Sequence, residues 1–147
     1  MDESAKPASL DDQVQKASKA LGETNLETRM AQEKRIEMKY RLNDLLEKQK
    51  RIESSIRIEI QSALDPKTNK PLYSNEKTRD AAFLEAADQN PEFCVISKEI
   101  SSLMKNLDLL DAELDMLRHG RRHLDLDYQY LIAATCVNGL NSEISVV

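Results

Sequence analysis

From Asn90 to Thr135 apolar side chains recur at alternating steps of three and four: Phe93, Ile96, Ile100, Leu103, Leu107, Leu110, Leu114 and Leu117, then Leu124, Tyr128 and Leu131. Arg121 is the only polar residue in the run. A mean spacing of 3.5 residues keeps one stripe on one side of an α-helix and suits no strand, so the segment is predicted to be a coiled-coil helix. Asn90-Pro91-Glu92 encodes its start: a side chain able to cap free amides, a proline tolerated at the first helical position, and an acid at the positive end of the helix dipole. Its end is placed at Asn138-Gly139, a pair that favours left-handed backbone. A helix of some 45 residues is roughly 65 to 70 Å long, and so long an apolar stripe requires a partner.

Composition points the same way. With 147 residues there is room for one domain. Aromatic residues make up 4% and charged residues 32%, which suits long exposed helices better than a globular core. The net charge of −5 favours solubility and argues against uniform nucleic-acid binding. Cys94 and Cys136 lie near opposite ends of the same predicted helix and cannot meet within one monomer, so free thiols and a cytoplasmic setting are expected. Residues Met1 to Ser9 are polar and acidic, unlike a secretory leader, and no apolar run approaches the roughly 20 residues that span a bilayer, so no membrane partner is expected.

Residues 1–25 are expected to form a mobile segment, with a short helix Leu10 to Leu21 capped at Ser9 and broken by Gly22. Residues 26–137 are predicted to form a helical hairpin with helices at about 26–64, 75–89 and 91–136, and residues 138–147 a tail. In the first of these helices Met38, Leu42, Leu45, Gln49, Ile52 and Ile56 follow heptad spacing, whereas between Met30 and Met38 the pattern slips and the coil is expected to loosen. Asp65-Pro66-Lys67-Thr68-Asn69-Lys70-Pro71 breaks the helix, and Ser74 is the expected cap of the short helix that follows.

The expected fold is therefore all-α: a long antiparallel two-helix coiled-coil hairpin with a short helix at its tip. Placing Leu64 near Phe93 sets Ile56 beside Ile100, Ile52 beside Leu103, Leu45 beside Leu110 and Leu42 beside Leu114, all apolar pairs. A parallel homodimer of each helix is the rival arrangement. Gln49, polar within an apolar seam, reads as a register device that penalises slipped pairings. Leu109, Met116 and Tyr130 form a stripe beside the main seam, which suggests a homo-oligomer built as a four-helix arrangement.

Few residues carry chemistry. His119 and His123 share a helical face but are surrounded by Arg118, Arg121 and Arg122, and no carboxylate or cysteine in phase completes a metal site. Acidic pairs such as Asp108 with Asp111 read as a solvated face, since no nucleophile or phosphate-cradling glycine loop accompanies them. No enzyme and no cofactor are expected. The block Arg118 to His123 departs from the acidic total, and the expected register sets it against Lys34 to Arg41. Lys34, Arg35, Lys39, Arg41, Arg118, Arg121 and Arg122 could then form a basic belt that engages phosphates, unless Glu33, Glu37, Asp125 and Asp127 neutralise it. Gly120 marks a weak point in the helix or a close approach of another backbone, and Arg121 is expected to reach out of the seam towards Glu37 or Glu33.

The run Tyr73-Ser74-Asn75-Glu76-Lys77-Thr78-Arg79-Asp80-Ala81-Ala82, followed by a leucine-heptad helix with Leu117-Arg118 and Arg121-Arg122, resembles small uncharacterised coiled-coil proteins of bacteriophages, prophages and some bacteria, over residues 48 to 131. The resemblance implies an accessory role beside phage recombination or single-strand-binding functions and carries over no functional residue. Three functions follow as expectations. The first is a non-enzymatic interaction or scaffold protein acting by self-association and binding of a protein partner. The second is an accessory nucleic-acid-binding protein using the basic belt. The third is a chaperone-like clamp that exploits the loosened seam near Arg35.

Overall fold

The computed structural model describes residues 6–145. These are all-helical, without a strand: α1 is Leu10–Ser62, α2 is Glu76–Gln89 and α3 is Pro91–Ser145. Helix α1 starts as its sequence dictates. Ser9 Oγ accepts the Asp12 amide at 3.2 Å, and Asp11 and Asp12 follow in the first turn.

Both long helices run further than expected. Gly22 lies inside α1 and Gly139 inside α3, neither with positive φ and neither with another group within 4 Å of where a Cβ would stand. A glycine ends a helix by turning left-handed. One that stays helical costs only about 1 kcal/mol relative to alanine, which cooperative turns on either side can absorb. The expected mobile segment is thus helical from Leu10, and the expected tail is helical to Ser145. The parts of those two segments at residues 1–5 and 146–147 lie outside the described residues.

Between α1 and α2 the chain makes a tight turn around Asp65. Its carboxylate accepts the Lys67 amide at 2.9 Å and the Thr68 hydroxyl at 3.1 Å. Asn69 adopts φ 56°, a left-handed conformation that asparagine tolerates, and Leu64 and Pro71 form an isolated antiparallel bridge. The cap of α2 is Asn75 rather than Ser74: Asn75 Oδ1 accepts the Thr78 amide at 2.8 Å, and Thr78 Oγ1 lies 3.4 Å from the Asn75 amide, a reciprocal capping box. Asn90 serves both neighbouring helices. Its amide donates to Ala87 at the end of α2, and its side chain accepts the Phe93 amide at 3.0 Å at the start of α3.

The chain divides into two compact units, one of Arg35–Leu109 and one that holds residues 10–34 of α1 and 110–145 of α3. In the first, Leu45, Ile96 and Ile100 are buried together, with Leu42, Ile52 and Leu103 packed around them. Ile56, Ile60 and Ala87 form a second cluster, closed by Tyr73, Ala82, Phe83, Ala86 and Phe93. A fully buried leucine or isoleucine contributes about 1.5 to 3 kcal/mol by leaving water.

This packing corrects the expected register. Leu45 sits with Ile96 and Ile100 rather than with Leu110, and Gln49 bonds to Ser97, about three helical turns earlier along α3 than expected. The cause is α2. Its alanines and Phe83 take the faces of Ile56 and Ile60 that the expected pairing gave to α3, so α3 meets α1 further back.

In the second unit Ala31, Leu110 and Leu114 are buried, and Leu10, Val14, Ala17, Leu21, Thr24 and Thr28 are half-buried. Along α1, Arg35 and Met38 are half-buried too, and the division into two units falls at Lys34 and Arg35, inside the stretch where the coil is expected to loosen. Apolarity alone marks this stretch weakly, because its stripe positions hold a small alanine, two threonines and an arginine with a long aliphatic stem.

Candidate functional site

A helix with one buried stripe normally presents a polar opposite face. The C-terminal part of α3 does not. Leu126, Tyr130, Ala133, Val137, Leu140 and Ile144 recur at alternating steps of four and three, and all are exposed, the five large ones from 55% at Val137 to 75% at Tyr130. In the same turns Leu124, Tyr128, Leu131 and Thr135 are half-buried. The two stripes repeat with the same period on opposite sides of the helix, which requires seven-residue periodicity at both.

Of the residues expected at an oligomer interface, Met116 and Tyr130 lie in this unit and Leu109 in the other, and all three are exposed. Sequence reasoning missed Leu126, Val137, Leu140 and Ile144. The missed signal was available in the four-and-three spacing, but a helix closed at Gly139 hides the last two positions and leaves too few repeats to register.

The basic residues fall into two groups. Lys34, Arg118, Arg121 and Arg122 belong to one unit, and Arg35, Lys39 and Arg41 to the other. Arg118 Nη1 donates to Asp115 at 3.2 Å, and Arg41 lies 4.0 Å from Glu99. His119 Nδ1 is 2.7 Å from the Asp115 carbonyl oxygen and donates to it as the protonated nitrogen. Arg121 points to solvent despite its place in the heptad run. Among the described residues no group of three or more histidines, cysteines and acids is placed to hold a metal ion.

Gln49 Nε2 donates to Ser97 Oγ at 3.1 Å within the Arg35–Leu109 unit, and both side chains are half-buried. Cys94 is half-buried with its thiol 3.4 Å from the Asp88 carbonyl oxygen, and Cys136 is exposed, both as free thiols. A shallow cleft beside Leu45 and Ile96 is rimmed by Lys48, Arg51, Glu92 and Glu99, a charged edge without a nucleophile. Among the described residues no helix is long and apolar enough to cross a membrane.

Compared with known proteins, the chain matches no family model, no curated protein and no solved structure.

Proposed function

We propose that this protein is a non-enzymatic, antiparallel coiled-coil hairpin that acts as an interaction or scaffold module by self-association and capture of a protein partner. The observation that carries the reading is the second apolar stripe of α3, Leu126 to Ile144, exposed on the face away from the half-buried one. Contiguous exposed apolar surface on a heptad-spaced helix face is what a helical partner covers. The hairpin is supported by the order of two contacts. Arg41 lies by Glu99 and Gln49 by Ser97, so advancing along α1 means retreating along α3.

Nucleic-acid binding is the weaker reading. It draws on the exposure of Arg121, Arg122, Lys34 and Lys39, but Asp115 and Glu99 occupy Arg118 and Arg41. The clamp reading draws on the stretch near Arg35, where the division between the two compact units falls. Multi-angle light scattering at micromolar concentration tests the preferred reading. A mass of twice the 16.7 kDa chain or more is expected, and the monomer mass at every concentration would contradict it.

A further inference from the structure

We infer that the occupant of the exposed α3 stripe is the same stripe of a second copy, packed antiparallel about a two-fold axis near Ala133. This rests on the self-association proposed above and names the surface and orientation that it uses. Three observations carry it.

The spacing comes first. Alternating steps of four and three over Leu126, Tyr130, Ala133, Val137, Leu140 and Ile144 are the pattern by which one helix seats its side chains between those of another, and an identical stripe is complementary to itself under two-fold symmetry. A two-fold axis at Ala133 sets Leu126 against Leu140 and brings Tyr130 to within one residue of Val137. The residue on the axis is small, and Ala134 beside it is small too, so the two helices can approach closely there.

The area is sufficient. Six exposed side chains at about 100 Å² each, counted on both copies, supply on the order of 1,200 Å², above the roughly 1,000 Å² that a specific interface needs.

Charge selects the orientation. Arg122 and Glu143 lie on the same flank of the stripe, three heptads apart, and both are exposed. In an antiparallel pair like flanks face each other, so Arg122 of each copy lies beside Glu143 of the other. A parallel pair would instead set the two Arg118 to Arg122 blocks side by side, three arginines against three. The antiparallel arrangement moves those blocks to opposite ends.

Sedimentation velocity on the full chain, with Val137→Glu/Leu140→Glu as the variant and Ile58→Glu as an exposed apolar control on α1, tests the surface. The double variant is expected to weaken self-association at least 100-fold with its helical circular dichroism unchanged, while Ile58→Glu associates as the wild type does. A double variant that associates normally would overturn the stripe as the interface and leave self-association standing. A wild type that is monomeric throughout would sink both. Orientation is read by mixing Leu126→Cys and Leu140→Cys proteins, each with Cys94→Ser and Cys136→Ser, under mild oxidation. Disulfides between unlike proteins are expected. A predominance of disulfides between like proteins would overturn the antiparallel arrangement, and an absence of cross-links in an associating protein would overturn the stripe itself.

Discussion

The side-chain amide of Gln49 donates to the hydroxyl of Ser97 at 3.1 Å, joining α1 to α3 beside the Leu45, Ile96 and Ile100 cluster. Neither group is fully exposed, and each satisfies the other. Slipping the helices by a turn would set Gln49 against an apolar neighbour and leave a polar group unpaired, at a cost of about 1 to 3 kcal/mol. Gln49 thus has a polar partner across the two helices, which polarity within an apolar seam does not by itself provide.

That pairing makes a prediction about mutants. Gln49→Leu adds apolar surface but orphans Ser97, so its stability should stay within about 1 kcal/mol of the wild type. Adding Ser97→Ala removes the orphaned hydroxyl, and the double variant should be the more stable of the two. Urea denaturation of the wild type, both single variants and the double variant gives the coupling. Additive effects would show that the bond contributes nothing.

Cap chemistry at α2 gives a second prediction. Asn75→Ala should cost about 1 kcal/mol, because it removes the acceptor for the Thr78 amide. Ser74→Ala should leave stability unchanged to within about 0.5 kcal/mol. Equal effects in thermal denaturation would argue against the capping box.

The helical glycines supply a third. Gly22 and Gly120 have open space where a Cβ would stand, so alanine at each should stabilise by about 0.5 to 1 kcal/mol. A lower melting temperature for Gly120→Ala would mean that another backbone approaches there.

Much of this was legible in the sequence, in a pattern with physical reasons. The α3 seam was readable because aliphatic side chains at heptad spacing are buried wherever a partner lies, and Ile96, Ile100, Leu107, Leu110 and Leu114 are all buried. Asn90-Pro91 was readable because caps are local. The register was not, since it depends on α2 covering Ile56 and Ile60, a tertiary competition that pairwise matching of two helices leaves out. The ends of the long helices were hidden by Gly22 and Gly139, whose effect depends on a φ that only the surroundings decide. Losing the last turns of α3 also hid the exposed stripe, the feature with most bearing on function.

The basic residues make a fourth prediction. With Arg41 and Arg118 beside carboxylates, fluorescence anisotropy should show no saturable binding of an oligonucleotide even at low salt, where surface electrostatics are strongest. Saturable binding with a log-log salt slope near −3 to −4, as neutralising about four phosphates requires, would revive the nucleic-acid reading.

The most direct test of self-association is the melting midpoint of the intact chain as a function of its own concentration, followed by circular dichroism at 222 nm, the wavelength of the helical signal. When folding is coupled to association the midpoint must rise with concentration, because the associated folded state is favoured by mass action. A steady rise from low micromolar to high micromolar protein is expected. A midpoint that stays constant over that range would contradict it.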